Sequence, residues 1–334
     1  MRAMQPDAEG YVERDGVKVG YEVFGNGDPT ILLMPTWAIV NSRRWKDQVP
    51  YLARHFRVIT YDARGSGRSD RPADPAAYAS REIGEDAVAV LDETCTDAAV
   101  AVGMSRGGGY LLELAANHPE RVLGAVCVGA ALGLGDPPAD RPSYSFDEPL
   151  DSGEGWARYN RHFWLRDWPG FVEFFMGQVI TEPHSTKFVE DSILWGLETT
   201  PETIVTLEDA PYLPDGARNL IERVRCPSLV VHGSDDHIIG LSGGERLAAA
   251  LGCDLEVFEG SGHAVDAREP VRFNLLLRDF VDRLRPPAPA VRSWTRARSR
   301  RPGRSTCRRR SALDTRCGTW PSPASCGRCG LSSK

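Results

Sequence analysis

The chain has 334 residues, of which 41% are hydrophobic, which is enough for one large domain with a buried core and an insertion. Its net charge of −6 is uneven: residues 286–334 carry twelve Arg or Lys and one acid, so the first 285 residues carry a net charge of −17. An acidic body excludes a basic groove for nucleic acid. The lack of an apolar run of ~18 residues, or of a secretion signal, predicts a soluble, cytoplasmic protein with no membrane partner.

Strands and helices are predicted in regular alternation on both sides of a central segment. Residues 11–23 alternate around Asp15-Gly16 and predict a hairpin. Apolar runs predict strands at 31–34, 56–61, 98–102, 122–128, 228–232 and 255–258. Helical spacing predicts helices at 43–54, 83–91, 105–117, 245–251 and 271–284. Strands that alternate with helices indicate a mostly parallel sheet covered on both faces, formed by residues 11–131 and 215–285.

Residues 132–214 interrupt this order and predict a helical lid inserted after a strand. The segment opens with Pro and Asp and then becomes rich in aromatic residues. Large apolar groups in such an insertion are typical of a cover over a small-molecule pocket. We expect the pocket to be lined by Trp156, Trp164, Phe171 and Trp195. The alternative is that these rings only pack the insertion's own small core.

The segment Gly103-Met104-Ser105-Arg106-Gly107 follows a predicted strand and opens a predicted helix. A strand–turn–helix with glycines on both sides of a serine is the setting of a nucleophile elbow, in which helix N–H groups stabilise developing negative charge. Ser105 is therefore the predicted nucleophile. The pattern recurs around Ser242, but no strand directly precedes that copy, and we expect Ser242 to cap a helix.

A serine needs a base to take its proton, and the base needs an acid to orient it. His263 lies in a loop between the last predicted strand and the last helix, at the sheet edge where Ser105 is expected. The other six histidines are expected to be structural. Asp235 and Asp236 both follow the strand that ends at Gly233, and either carboxylate could reach the base.

Four segments resemble the α/β-hydrolase family: VGMSRGGG, YDARGSGRSDRP, CPSLVVHGSDD and GSGHAV. The resemblance covers residues 11–284 and implies a sheet of about eight strands with a lid. It also implies a triad in the order Ser105, Asp236, His263, because the family's acid usually lies three residues after the glycine. The stretch PTWAIVNSRRWKDQVPYLARHFRV also resembles a bacterial subgroup in which a hydrolase domain accompanies other domains.

The segment after the third strand departs from the family pattern. The family usually has His-Gly there, whereas this chain has Pro35-Thr36. By the resemblance, the backbone N–H groups of Trp37 and Arg106 form the oxyanion hole. Thr adopts positive φ less readily than Gly, so the loop should be shaped differently. The Arg106 side chain could grip an acidic substrate group or pair with the protein.

These residues predict a serine hydrolase that cleaves an ester-like bond of a small molecule without a cofactor or metal. Hydrolysis of a C–C bond or thioester, or perhydrolysis, could use the same triad. A reading from another class is a non-catalytic ligand-sensing or regulatory domain, which the Pro35-Thr36 departure favours.

The cysteines and the tail complete the prediction. We expect Cys95, Cys127, Cys226 and Cys253 to be reduced, buried thiols. The other four lie at 307, 317, 326 and 329 and lack the second pair that a zinc site needs. Residues 286–334 have no apolar period and are expected to be a disordered basic tail. Their Arg, Cys, Ser and Pro bias is also what a shifted reading frame of a GC-rich gene yields.

Overall fold

The computed structural model describes residues 4–182, 184 and 186–285; the basic tail and its four cysteines lie outside these residues. An eight-stranded sheet runs in the order β1-β2-β4-β3-β5-β6-β7-β8. Its strands are Ala8–Arg14 (β1), Val17–Phe24 (β2), Thr30–Leu33 (β3), Arg57–Tyr61 (β4), Ala99–Met104 (β5), Val122–Val128 (β6), Ser228–Gly233 (β7) and Asp254–Phe258 (β8). Strands β3 to β8 are parallel to their neighbours, whereas β1 and β2 are antiparallel.

Eleven α-helices are present in the described residues. They are Val49–Leu52 (α1), Ser80–Glu93 (α2), Arg106–Asn117 (α3), Arg161–Arg166 (α4), Trp168–Val179 (α5), Thr186–Gly196 (α6), Pro201–Glu208 (α7), Ala217–Arg223 (α8), Leu241–Leu251 (α9), Val265–Arg268 (α10) and Pro270–Leu284 (α11). None of these helices is long and apolar enough to cross a bilayer.

Two apolar layers cover the two faces of the sheet. Residues of α2, α3, α8 and α9 pack on one face, and residues of α1 and α11 pack on the other. The central strands β3 and β5 are buried along their whole length, which explains their unbroken apolar sequences. The predicted fold class, an α/β-hydrolase sheet with helices on both faces, is confirmed.

The hairpin between β1 and β2 turns where the sequence predicts. Asp15 and Gly16 both have positive φ, at 54° and 76°, as a two-residue turn of this twist requires. The single helix predicted over 43–54 is wrong. A short 3₁₀ turn, Ser42–Asp47, precedes α1, because Pro50 has no N–H with which to continue a helix and instead starts a new one.

Helices α4 to α7 lie between β6 and α8, in the segment predicted as a lid. Their aromatic residues form an apolar cluster with Trp37, Ala38 and Ile39 from the loop after β3. That loop begins where β3 ends, at the edge of the sheet where the parallel strands have their carboxyl ends. The aromatic cluster therefore packs against this edge of the sheet.

Candidate active site

Ser105 lies at the junction of β5 and α3 with φ 54° and ψ −123°, a backbone region that non-glycine residues rarely adopt. The neighbouring glycines have no room for a side chain. A Cβ on Gly103 would lie 2.3 Å from the carbonyl oxygen of Gly107, and one on Gly107 would lie 2.4 Å from that of Pro35. The turn holds the serine between strand and helix, half-buried, as a nucleophile elbow does.

His263 lies in the loop after β8 and is only 2% exposed. Its Nδ1 is 2.7 Å from Oδ2 of Asp236, so the carboxylate accepts the Nδ1–H and Nε2 is left to exchange a proton. His263 and Ser105 line the same cavity. This arrangement gives the hydroxyl a neighbouring base that is already oriented by an acid.

Asp236 is buried, and each of its oxygens accepts hydrogen bonds. Oδ1 accepts from the backbone N–H groups of Ile238 and Ile239, at 2.8 and 2.9 Å. Burial would raise the pKa of this carboxyl, but the neighbouring His263 and the hydrogen bonds from both His232 and His263 hold it well below the ordinary 3.8. The alternative acid, Asp235, is exposed and contacts His237 instead.

His232 is a second histidine at this carboxylate, and the sequence analysis treated it as structural. Its Nε2 is 3.3 Å from Oδ2 of Asp236 and 2.9 Å from the carbonyl oxygen of Ile239. Burial lowers the pKa of His232, but the bond to Asp236 outweighs that effect and raises it. The spacing of four residues around a tight turn was the only sequence signal for this contact.

The loop after β3 packs directly on the first turn of α3. A Cβ on Gly107 would approach Pro35 and Thr36, and the hydroxyl of Thr36 lies 3.7 Å from Sδ of Met104. Thr36 is not among the described residues with positive φ, so the loop avoids the conformation that glycine would allow. Among the described residues, no backbone carbonyl accepts the N–H of Trp37 or of Arg106. Both groups therefore stay free to bind an oxyanion.

The side chain of Arg106 pairs with the protein. Its Nη1 lies 2.7 Å from Oε1 of Glu208, and its guanidinium stacks on Tyr212 at 4.5 Å from the ring centre. The nearby Glu208 carboxylate overcomes the effect of burial and raises the pKa of Arg106. Arg106 is thus already neutralised and does not support the alternative of gripping an acidic substrate.

The cavity at Ser105 has an empty volume of about 460 Å³, its open mouth included. One wall comes from the loop after β3, and the opposite wall comes from α5 and α6. The helical residues of that wall are Phe175, Met176, Val179, Phe188 and Ser192. A mostly apolar cavity with a few polar groups suits a small organic molecule.

The four aromatic residues predicted to line this cavity do not do so, and the prediction is corrected here. Trp164 and Phe171 are fully buried with ring centres 4.6 Å apart. Trp195 packs behind Phe188, and Trp156 lines a separate cavity with Arg141. Sequence composition identified the right segment, but the faces that point inward depend on how the helices pack. Phe175, one helical turn after Phe171, is the residue that reaches the cavity.

Ser242, the other serine in the elbow pattern, lies within the first turn of α9, and Gly240 occupies the capping position. Its hydroxyl oxygen accepts the N–H of Asp136 at 3.0 Å, so the predicted cap is wrong. All four cysteines in the described part of the chain are free, but only Cys127 is buried and Cys95 is exposed. Within the same residues, no cluster of three or more His, Cys, Asp or Glu could hold a metal ion.

Comparisons with known proteins agree with this fold. A family model described as "alpha/beta hydrolase fold" matches residues 29–265. The 2-hydroxymuconate semialdehyde hydrolase of Pseudomonas sp. (strain CF600) is 32% identical over 287 residues, covering 80% of this chain and 91% of the relative. The 3-oxoadipate enol-lactonase 2 of Acinetobacter baylyi is 28% identical over 262 residues, covering 77% and 91%. A solved structure titled "Est816 as an N-Acyl homoserine lactone degrading enzyme" matches with a TM-score of 0.67 at 28% identity, covering 81% of this chain and 100% of that one.

Proposed function

Because the chain belongs to the α/β-hydrolase fold family and is a hydrolase, we propose that it cleaves an ester-like bond of a small molecule through an acyl-enzyme on Ser105. The observation that carries the proposal is the pairing of His263 with Asp236 in the wall of the cavity that also contains Ser105. Nucleophile, base and acid are each on a different loop, and no other serine of the described residues has this setting.

The proposed reaction has two halves. Ser105 Oγ attacks the carbonyl carbon while Nε2 of His263 takes its proton, and the N–H groups of Trp37 and Arg106 bind the oxyanion. The C–O bond then breaks, and His263 returns the proton to the leaving alcohol. Water next attacks the acyl-enzyme, gives its proton to His263 and releases the acid and free Ser105. Asp236 keeps His263 in the required tautomer and stabilises its cationic form.

The names of two similar proteins support an ester-like bond. One is an enol-lactonase, and the other is titled as an enzyme that degrades N-acyl homoserine lactone. A lactone is a cyclic ester, so its ring opens through the same attack on a carbonyl carbon. The free N–H groups at Trp37 and Arg106 are where the oxygen of such a carbonyl would bind.

A second candidate is hydrolysis of a C–C bond beside a carbonyl. The relative at 32% identity is named a 2-hydroxymuconate semialdehyde hydrolase. A molecule of that name contains no ester, so a hydrolase that acts on it breaks a different bond. The same serine, histidine and aspartate would serve, with a carbon leaving group that receives the proton in place of an alcohol.

Turnover of p-nitrophenyl acetate and butyrate tests the proposal. We expect the wild type to release p-nitrophenol, and we expect Ser105→Ala to lower kcat at least about 10³-fold, because the nucleophile is lost. Equal turnover by the variant would refute the role of Ser105. A wild type that binds small molecules but turns over neither ester would instead favour a non-catalytic ligand sensor.

A further inference from the structure

Arg44 is a buried cation in the wall of the cavity that contains Ser105. It lies in the 3₁₀ turn Ser42–Asp47, is only 4% exposed and contributes to the cavity lining. The proposed acyl-transfer mechanism gives it no task. A guanidinium next to an otherwise mostly apolar cavity is costly to bury, so its hydrogen bonds show what stabilises it.

One end of the guanidinium is occupied. Nη2 donates to both oxygens of Asp266, at 3.0 and 2.9 Å, and the group lies over the ring of Trp45 at 4.2 Å from its centre. Gln48 binds the backbone carbonyl of the same aspartate at 2.7 Å. Asp266 is fully buried, so its carboxylate cancels the charge of Arg44 locally.

The Nη1 group of Arg44 is different. It is buried and has no hydrogen-bond partner within the part of the chain that the structure describes. A buried donor without an acceptor costs about 1–3 kcal/mol, and such groups in native proteins call for an explanation. Nε1 of Trp37, another residue of the cavity lining, also lacks an acceptor there. Two donors without acceptors on residues that line one cavity suggest that a bound molecule supplies the missing oxygen.

The buried arginine Arg64 shows what the chain does where only packing is required. Its Nε and Nη2 donate to Asp86 at 2.7 and 2.8 Å, and its Nη1 donates to the carbonyl of Ala77 at 3.2 Å. Arg64 lines none of the cavity at Ser105. An arginine with all three nitrogens bonded is therefore attainable in this fold, and the free Nη1 of Arg44 is not a general consequence of burying an arginine.

We propose that Arg44 is a specificity-determining residue whose Nη1 donates a hydrogen bond to an uncharged oxygen in the acyl part of the substrate. An uncharged oxygen suits this site better than a carboxylate, because Asp266 already neutralises the guanidinium and would repel a second anion. The cavity near Arg44 is otherwise apolar, with Ile39, Val40 and Val179 in its lining. The inferred substrate class is thus an ester or lactone with a mainly apolar acyl chain that carries one keto, ether or hydroxyl oxygen. The inference rests on the proposed function.

Matched pairs of p-nitrophenyl esters test it. Methoxyacetate is compared with butyrate, and 3-methoxypropanoate with pentanoate, since each pair exchanges one methylene for an ether oxygen. A third comparison sets 4-oxopentanoate against pentanoate. Each kcat/KM is divided by the rate constant for alkaline hydrolysis of the same ester, which removes intrinsic reactivity. We expect the wild type to prefer at least one oxygen-bearing ester about tenfold or more, as a hydrogen bond from a charged donor would produce.

Arg44→Lys should reduce that preference about tenfold or more, because the ammonium can pair with Asp266 but has no second arm to reach the substrate. The matched control Arg64→Lys should leave the preference at its wild-type value. If Arg44→Lys does not fold, the double variant Arg44→Met/Asp266→Leu removes the whole buried pair and should show the same loss.

A wild type that hydrolyses these esters with no preference for oxygen would overturn the inference and leave the proposed function intact. Preference that persists in a folded Arg44→Lys or in the double variant would also overturn it. Failure of the wild type to hydrolyse any ester of the panel would instead count against the proposed function itself.

Discussion

Asp236 joins four groups through its two carboxylate oxygens. One oxygen accepts two backbone N–H groups of its own turn, and the other faces His263 and His232. The backbone bonds fix the carboxylate in the loop after β7, and the short bond to Nδ1 fixes the ring of His263. This network explains why a buried carboxylate stays ionised at the base of the cavity.

Asp236→Asn should lower kcat about 10³- to 10⁴-fold while the protein stays folded. An amide can donate to Nδ1 and favour the wrong tautomer of His263, which leaves Ser105 without a base. Initial rates on p-nitrophenyl butyrate would measure the effect. Asp235→Asn is the matched control, because that carboxylate is exposed and contacts His237. Equal losses in the two variants would contradict the assignment of the acid.

The depressed pKa of Asp236 also predicts how stability depends on pH. A carboxyl whose pKa is lower in the folded than in the unfolded state contributes stability above its ordinary pKa of 3.8 and loses it as the pH falls toward the folded value. The free energy of unfolding of wild type and Asp236→Asn should therefore converge as the pH is lowered from about 6 to about 3. Urea titrations at these pH values would show it, and a constant difference would contradict it.

Single residues could be predicted where a motif fixes the backbone around them. Ser105 and His263 lie where their motifs indicate, at one cavity, and Asp236 rather than Asp235 reaches the histidine. His232 could not be predicted, since a histidine at the end of a strand contacts the acid only if the turn folds back. Arg44 could not be predicted either, because its partner Asp266 is 222 residues away in the chain.

At the scale of elements, the junction of β5 and α3 depends on close approach of backbone atoms. Gly107 lies against the carbonyl of Pro35, which brings the loop after β3 and the serine turn together. The oxyanion donors at Trp37 and Arg106 come from these two segments. The catalytic geometry therefore depends on a contact that only glycine permits.

Gly107→Ala should lower both activity and stability, because the new Cβ would lie 2.4 Å from the oxygen of Pro35 and the loop must move. We expect a cost of about 1–3 kcal/mol in the free energy of unfolding, as for other overpacked sites. Gly177→Ala is the matched control. Gly177 lies in α5 with nothing within 4 Å of its Cβ position, and Ala should stabilise that helix by about 0.5–1 kcal/mol. Similar melting temperatures for the two variants would contradict this account.

Elements were predictable in proportion to their local signals. The hairpin turn at Asp15-Gly16 and the buried strand β5 follow from residues close together in sequence. The segment 43–54 was harder, because its apolar spacing fits a helix while Pro50 divides it. In α5 the sequence indicates a helix, but its packing on Trp37 decides which aromatic faces the cavity.

For the whole molecule, the sheet explains why distant segments meet. Ser105 follows β5, Asp236 follows β7 and His263 follows β8, and these parallel strands all end at one edge of the sheet. The order of strands and helices makes this meeting predictable from sequence, because ligands of such sheets bind at the carboxyl ends of the strands. The shape of the cavity was not predictable, since it depends on how α5 and α6 pack over that edge.

The most direct test of the central claim is labelling of the full-length protein by a fluorophosphonate probe, which reacts with a serine that a neighbouring base has activated. Wild type and Ser242→Ala should be labelled to the same extent, and Ser105→Ala should not be labelled. Unchanged labelling of Ser105→Ala, or loss of labelling in Ser242→Ala alone, would contradict the assignment of Ser105 as the nucleophile.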